Sequence, residues 1–503
     1  MPSALPTFRA TAIANYAGQG WTALMGIAFL PLYLVALGVE SYAMVGVFAI
    51  LQAWMGLLDL GITPTLNREM ARLRAGSHTA QSIRNLLRSL ETICGGIMGM
   101  AAVLVWLVAP SLVAEWLNPK GLSPEVATEA IRIMGFVVSA RLLEQLYRGA
   151  LQGANDQVWL NAAGAVLATL RWGGAYLVLT LAAPSVIRFF YWQGLVSVLT
   201  TCVFVWRTYR ILPMSTTPGR FQRSALVDVY TFARGMFVGS ILAFILTQID
   251  KVMVSKLVPL ADFGYYTLAA TVGGGLMQLA APLNATVFPR LTIHASNLDA
   301  EALRRTYEES CEWMSAVIFG PALLLVLFPE LVLFAWTGNH TLTVHVAPLL
   351  SLLACGYLFN ALMNIPYMLQ LASGWTGLAI RVNSVAVALV IPAMLWAVPL
   401  YGAYAAALVW LALNFGYLSV GAHFMYRRLL PATKWRWYRV SVLRPSFAAG
   451  LTGLLASMIL PSTTSRLEAG GIAIALLLAM SLATIASLPH VRMRIFDRSR
   501  AHA

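Results

Sequence analysis

Charged residues are scarce in this chain: Asp, Glu, Lys and Arg together form 11% of its 503 residues, against 59% for the hydrophobic types. A soluble domain usually carries about 25% charged residues, so this composition indicates a protein solvated mainly by lipid. Apolar windows of about 20 residues recur along the chain, each long enough to cross roughly 30 Å of hydrocarbon. They are too long and too uniformly apolar for barrel strands, and a backbone in lipid must satisfy its own hydrogen bonds. The sequence therefore predicts an all-α, polytopic integral membrane protein.

Motifs for nucleotide-driven or metal-dependent chemistry are also missing from the sequence. It contains no GxxxxGK[ST] phosphate loop and no cytoplasmic segment long enough for a nucleotide-binding domain. The histidines show no HExxH or HxxxH spacing, and the four cysteines form no CxxC pair. No long outer loop is available for a glycosyltransfer or polymerase site. We therefore expect no metal, no cofactor and no enzymatic activity, but movement of a substrate without reaction.

The apolar windows are accounted for by about fourteen transmembrane helices. They are predicted near Ala12–Val35, Tyr42–Leu66, Leu86–Ala109, Ala127–Leu151, Val158–Leu181, Phe189–Trp206, Ala233–Val254, Phe263–Phe288, Trp313–Trp336, Val344–Leu371, Gly377–Ala397, Gly402–Tyr426, Val442–Leu460 and Gly470–Leu488.

Basic residues follow the even-numbered helices, whereas the other loops carry few. Because short loops rich in Lys and Arg stay in the cytoplasm, this alternation predicts that both termini are cytoplasmic. The formal net charge of +14 follows from the same asymmetry, so we expect no nucleic-acid partner. The basic groups lie at Arg68–Arg88, Arg207–Arg223, Arg290–Arg305, Arg427–Arg444 and Arg492–Arg500.

One long pattern occurs twice. The first copy runs from Glu40-Ser-Tyr-Ala-Met through Leu57-Leu-Asp-Leu-Gly-Ile-Thr to Asn67-Arg68, and the second from Leu260-Ala-Asp-Phe-Gly-Tyr-Tyr through Ala281-Pro-Leu-Asn to Pro289-Arg290. A repeat of this size in an apolar chain predicts two similar membrane bundles in tandem. Transporters of that architecture bind substrate between their halves, so the sequence favours a carrier.

Several ionisable residues fall inside the predicted spans, where each costs roughly 2.5–3.5 kcal/mol on insertion scales. Arg141, Glu144 and Arg148 share one face of the fourth helix at positions i, i+3 and i+7. Glu144 can neutralise either neighbour, and Arg171 lies near the middle of the fifth helix. Arg141 and Arg171 are too deep for their side chains to reach the headgroups easily, which favours a water-filled cavity. An Arg-lined cavity suits an anionic substrate, because Arg binds phosphate in a bidentate manner.

Further interior charges allow more than one interpretation. Arg234 and Arg381, like Arg148, either line the same cavity or extend to the inner headgroups. Asp59 and Asp250 are candidates for ion coupling together with Glu144, but a structural cap or ion pair explains the two aspartates equally well. Glycine pairs four residues apart indicate close helix packing within the chain, with a dimer interface as the alternative. These pairs are Gly95/Gly99, Gly149/Gly153 and Gly235/Gly239.

The second-helix motif Leu57-Leu-Asp-Leu-Gly-Ile to Asn67-Arg68 resembles the polysaccharide-exporter family of O-antigen and oligosaccharide flippases. So does Gln248-Ile-Asp-Lys-Val-Met-Val254, followed by Phe263-Gly-Tyr-Tyr-Thr-Leu-Ala269 and Pro289-Arg290. That family belongs to the multidrug/oligosaccharidyl-lipid/polysaccharide (MOP) exporter superfamily. The resemblance covers roughly residues 9–430. This chain departs from the family pattern at Arg234-Gly235, at the start of the predicted seventh helix, where the family often has a proline.

The resemblance implies two six-helix lobes, at residues 1–212 and 213–430, related by a pseudo-two-fold axis, with helices 13 and 14 and a basic tail in 431–503. It also implies transport of undecaprenyl-pyrophosphate-linked oligosaccharide across a bacterial inner membrane by alternating access. The expected partners are this lipid-linked oligosaccharide, membrane lipids, and a polysaccharide polymerase with its chain-length machinery.

Three other functions compete with this hypothesis. A cation-coupled multidrug exporter shares the fold, but its cavity should be acidic and aromatic. A membrane glycan polymerase or ligase would need a large outer loop with acid–base residues. A flippase for the peptidoglycan precursor would differ in substrate, and its deletion would affect viability.

Overall fold

The protein is described by a computed structural model over residues 8–57, 62–74, 79–117, 119, 122–154, 156–181, 184–215, 217–223, 244–296, 299–373, 375, 377–459 and 465–500. Every regular element in these residues is helical. The chain divides into two compact units. The first comprises Met1–Gln248 and Pro259–Gly264, and the second comprises Ile249–Val258 and Tyr265–Ala503.

The first unit is built mainly from helices α1 to α7. The end of α4 continues into a π-helical segment, Leu112–Leu117. The bounds are α1 Phe8–Leu37, α2 Val39–Leu57, α3 Ile62–Arg74, α4 Ala80–Ser111, α5 Pro124–Gly153, α6 Gln157–Leu181 and α7 Val186–Ile211.

The second unit holds most of α8, described over residues 244–257, most of α9, and the helices after α9. A π-helical segment, Tyr417–Gly421, joins α13 to α14, and another, Tyr438–Leu443, joins α15 to α16. The bounds are α9 Leu260–Ser296, α10 Ala300–Leu327, α11 Pro329–Thr337, α12 His340–Ala372, α13 Gly377–Gly416, α14 Ala422–Arg428, α15 Lys434–Trp437, α16 Arg444–Ser457, α17 Arg466–Ser487 and α18 Pro489–Arg500.

Within the described ranges, nine helices or merged helices are long and apolar enough to cross a membrane. One of them, Gly377–Arg428, contains two predicted spans that are separated by a backbone kink at Gly402. That residue has φ 62°, a conformation that glycine adopts without the steric penalty of a Cβ atom. The prediction of an all-α polytopic membrane protein is confirmed, and fourteen stands as an approximate number of helices.

Some predicted boundaries are wrong. The predicted span Trp313–Trp336 is divided at Phe328 between α10 and α11. Part of the predicted span Tyr42–Leu66 lies outside the described residues. The basic segment after α14, predicted as a loop, is largely helical. The sequence after α17 also forms a helix, α18, and at its start buried Glu312 accepts hydrogen bonds from the backbone N–H (2.7 Å) and the ring Nδ1 (2.6 Å) of His490.

The core of the first unit brings α3, α4 and α5 together. Leu66, Leu86 and Leu146, one from each helix, belong to one cluster and are almost fully buried. The segment after α7 is attached to α4 by hydrogen bonds, including Arg84 Nε to the Pro213 carbonyl (2.9 Å). The early part of the segment that follows α7 therefore packs with the first unit.

One of the predicted glycine pairs does pack helices within the chain. A Cβ atom at Gly153 of α5 would lie 2.1 Å from the carbonyl oxygen of Asn67 in α3, and one at Gly149 would lie 2.8 Å from that of Thr63. Glycine at these positions lets the two backbones approach closely. A Cβ atom at Gly99 would have nothing within 4 Å. Gly235 and Gly239 lie outside the described residues.

We expect Gly153→Leu to destabilise the protein and Gly99→Leu, the same change at an open position, to leave it unaltered. Forcing a side chain into a packed interface costs about 1–3 kcal/mol or more. Thermal unfolding in detergent, followed by tryptophan fluorescence, should show Tm lowered by several degrees for Gly153→Leu. Equal Tm values for the two variants would contradict the close packing of α3 on α5.

Candidate functional site

Four of the predicted charged residues meet inside the first unit, and we name Arg141, Glu144, Arg148 and Arg171 the cationic cluster. Glu144 is at its centre and is buried. One carboxylate oxygen of Glu144 lies 3.2 Å from Arg171 of α6, and the other lies 3.5 Å from Arg148. The predicted pairing is thereby resolved: Glu144 binds Arg148 and Arg171.

The helical repeat explains how these residues come together. Glu144 and Arg148 are one turn apart on α5, so both face the same direction. Arg171 reaches Glu144 from α6 and lies 3.5 Å from the hydroxyl of Thr200 on α7. The side chain of Arg171 is 15% exposed and that of Arg148 is 37% exposed. Three helices therefore contribute to one partly buried polar site.

Arg141 has a different environment, because its hydrogen-bond partners are neutral. It donates to the side-chain oxygen of Gln52 on α2 and to that of Gln193 on α7, the latter at 3.4 Å. Its guanidinium carbon lies 4.9 Å from the centre of the Phe48 ring, close enough for a cation–π contact. Its Nε is buried without a hydrogen-bond partner among the described residues. Among the described residues, Arg141 therefore has an unused donor and no carboxylate partner.

The chemistry available to the cluster follows from its charges. Three arginines and one glutamate give it a formal charge of +2. A phosphate oxygen that replaced the amide oxygens at Arg141 would exchange neutral acceptors for charged ones, which form stronger hydrogen bonds. A phosphate that displaced Glu144 from Arg171 would instead leave the buried Glu144 carboxylate without that ion-pair partner. Arg141 is therefore the member best placed to bind an anion.

The other predicted site residues lie elsewhere. Arg381 is exposed on α13 of the second unit. Asp250, on α8, is 3% exposed, and its Oδ2 accepts a hydrogen bond from the hydroxyl of Tyr266 at 2.7 Å. Its Oδ1 is buried and has no hydrogen-bond partner in the described part of the chain. Asp59 and Arg234 lie outside the described residues.

Neutral amides form a separate polar network in the second unit. Asn284 of α9 donates to Asn364 of α12 at 3.0 Å, and Asn360 donates to Asn414 of α13 at 2.8 Å. Asn364 also bonds to the Asn360 carbonyl oxygen at 3.0 Å, which joins the two pairs. Amide hydrogen bonds of this kind hold helices together where lipid offers no alternative partner. The network carries no net charge.

The sequence interpretation did not identify Gln52, Gln193 or Thr200 as parts of the cluster. All three are neutral polar residues within otherwise apolar helices. A polar side chain in such a helix is a sequence signal that could have identified them as site residues. Hydroxyl and amide side chains are common in membrane helices, however, and often bond to their own backbone, as Thr200 does to Val196. Their role depends on which residue faces them across the bundle.

Solved structures share this fold. An inward-facing multidrug resistance MATE family transporter of the MOP superfamily superimposes with a TM-score of 0.65 at 15% identity, over 81% of this chain and 94% of that one. The lipid II flippase MurJ, in an inward closed conformation, gives 0.68 at 12% identity, over 94% and 97%. The protein is therefore a polytopic membrane protein with the fold that these MOP-superfamily structures share.

Sequence comparison identifies the family. The family profile for polysaccharide biosynthesis proteins matches residues 8–294, which is more than half of the chain. This protein therefore belongs to the polysaccharide biosynthesis protein family. A Shigella flexneri protein assigned as an O-antigen transporter is 21% identical over 399 residues, 79% of this chain and 92% of that relative. The predicted family resemblance is confirmed.

We expect Glu144→Gln to destabilise the fold, because it leaves Arg171 and Arg148 without a carboxylate in a region of low dielectric. Removing one partner of a buried ion pair costs about 3–5 kcal/mol. Arg148 contributes less of this cost than Arg171, because its side chain is more exposed to solvent. Thermal unfolding in detergent should show a clear fall in Tm. The matched control is Glu301→Gln, which neutralises an exposed partner of Arg304 and Arg305. A Glu144→Gln protein as stable as this control would show that the shared carboxylate does not hold the cluster.

Proposed function

We propose that this protein is a flippase that moves undecaprenyl-pyrophosphate-linked oligosaccharide, a polysaccharide repeat unit, from the cytoplasmic to the outer leaflet of a bacterial inner membrane. The observation that supports this most is the cationic cluster, in a chain that belongs to a polysaccharide biosynthesis family. The lipid-linked pyrophosphate supplies the anion that such a cluster suits. The translocated unit would pass to a polysaccharide polymerase and its chain-length machinery.

In this proposal Arg141 makes the first contact with the pyrophosphate. Its present acceptors are amide oxygens, so phosphate can replace them without separating an existing ion pair. Arg148 is the next candidate, since it is partly exposed and its contact with Glu144 is the longer one. Arg171 keeps Glu144 in place and adds positive potential. The remaining candidates, Arg234 and Arg381, would extend the path of the substrate.

The membrane potential supplies part of the driving force. An inside-negative potential favours outward movement of an anion by about 2.3 kcal/mol per charge per 100 mV. The carrier must then return to its inward state, and we assign this step to ion entry. Asp250 is the best candidate for the ion-carrying group, because it is buried and one of its oxygens accepts no hydrogen bond from any described residue. Glu144 suits this task less, since arginines bind both of its oxygens, and Asp59 stands as a further candidate.

The multidrug exporter is the main rival, because it has the same fold. An exporter of cationic drugs would have to bring its substrate against the positive potential of Arg141 and Arg171. The two functions are separated by deleting the gene and assaying surface polysaccharide together with lipid-linked oligosaccharide in the inner leaflet. Lost surface glycan with trapped inner-leaflet intermediate supports the flippase. Normal glycan with altered drug sensitivity would overturn it.

We expect Arg141→Gln to lower translocation of the lipid-linked oligosaccharide by about tenfold or more, the loss that removal of one charge-assisted contact produces. The amount of protein in the membrane should not change, because the substitution breaks no ion pair with a described carboxylate and leaves a polar side chain at this position. Arg141→Lys should retain an intermediate rate, since it keeps the charge but loses the planar donor set. Translocation is measured by complementing the deletion strain and quantifying surface glycan.

The matched control for Arg141→Gln is Arg305→Gln, which removes the same charge from a residue that is 76% exposed. It should leave surface glycan at the wild-type amount. If Arg141→Gln and Arg305→Gln complement equally well, the cluster does not bind the substrate.

We expect Asp250→Asn to uncouple transport from the ion gradient. Asparagine keeps an acceptor for the Tyr266 hydroxyl but can neither gain nor lose a proton. In proteoliposomes with lipid-linked oligosaccharide, the wild-type rate should rise with an imposed proton gradient, and the Asp250→Asn rate should not. Tyr266→Phe is the control for loss of the hydrogen bond alone. An Asp250→Asn protein that still responds fully to the gradient would exclude this residue as the carrier.

A further inference from the structure

An open groove of about 1240 Å³ lies on the first unit, bounded by α4, α5 and α7. It is larger than the roughly 300–1,000 Å³ that most small-molecule pockets occupy. No residue of the cationic cluster lines it. The residues used in the argument are Trp106 of α4, Glu125, Glu129, Arg132 and Phe136 of α5, and Tyr191 of α7.

The groove changes from polar to apolar along α5. Glu125, Glu129 and Arg132 occupy its first two turns, and Phe136, 53% exposed, lies beyond them. From Pro124 to Phe136 the helix rises about 18 Å, close to the roughly 20 Å that one leaflet spans when its headgroups are included. In the predicted orientation, α5 begins on the outer side. The groove therefore has the length and polarity gradient of one lipid molecule in the outer leaflet.

The polar end carries charges of both signs. The guanidinium carbon of Arg132 lies 4.6 Å from the centre of the Trp106 ring, and its Nε is buried without a partner among the described residues. Glu129 is exposed and accepts a hydrogen bond from Tyr191 at 3.4 Å. Glu125 lies one turn from Glu129 on the same stripe. One cation and two carboxylates thus face a single opening.

We infer that this groove binds a zwitterionic aminophospholipid, with the phosphate on Arg132 and the primary ammonium between Glu125 and Glu129. The acyl chains would lie along Phe136 and the apolar part of α7. The two carboxylates disfavour a lipid with net negative charge. The charged mouth also disfavours a wholly apolar helix as the occupant. This lipid site goes beyond the proposed flippase function and is independent of the transported substrate.

The test is native mass spectrometry of the purified full-length protein with three lipids of the same acyl chains: phosphatidylethanolamine, phosphatidylcholine and phosphatidylglycerol. Phosphatidylethanolamine should bind best, since its ammonium donates hydrogen bonds that the trimethylated group of phosphatidylcholine cannot. Glu129→Gln should remove the preference for phosphatidylethanolamine over phosphatidylcholine. Arg132→Gln should weaken binding of all three by about tenfold, the loss of one charge-assisted hydrogen bond.

Two further variants separate lipid binding from folding. Ala114→Trp adds bulk at an exposed position in the groove, leaves all charges in place, and should reduce bound phosphatidylethanolamine without lowering Tm. Arg305→Gln, outside the groove, should bind like the wild type. Strongest binding of phosphatidylglycerol, or unchanged binding in the Glu129 and Arg132 variants, would overturn the inference. So would a lipid-free dimer that Ala114→Trp dissociates, because a second copy would then occupy the groove.

Discussion

The shared carboxylate of Glu144 is the contact on which the polar interior of the first unit depends. Two guanidinium groups in a helical membrane bundle repel each other, and neither can be left unpaired in a medium of low dielectric without a large cost. Glu144 binds one arginine with each oxygen, so Arg148 and Arg171 remain inside the bundle. Among the described residues, Arg141 then has only neutral hydrogen-bond partners, and the proposed anion binding rests on this difference.

The two faces of α5 carry two separate polar sites. Arg132 and Arg141 are nine residues apart, which at about 100° per residue places them on opposite sides of the helix. Each has a buried Nε without a partner among the described residues. One belongs to the cationic cluster and the other to the groove. Because the two sites draw on different faces of one helix, substitutions in one can be compared directly with substitutions in the other.

The two units differ in the polar side chains that they bury. The first unit has charged side chains at the centre of its polar site, whereas the described part of the second contains a network of neutral asparagines and also the buried Asp250. Because a helical fold leaves interior side chains free to differ, two helical units of one chain can take different tasks. In the proposed flippase, anion binding belongs to the first unit and ion coupling to the second.

The sequence by itself determined the membrane class, the family resemblance and most of the helices, because apolar length and charge asymmetry are local properties of the chain. It also placed Arg141, Glu144 and Arg148 on one face of a helix. Only the tertiary structure decided that Glu144 binds Arg171 from α6, that Gln52 and Gln193 accept from Arg141, and that a groove opens beside Arg132. These relations join residues far apart in the chain, and helix packing, which no local pattern encodes, brings them into contact.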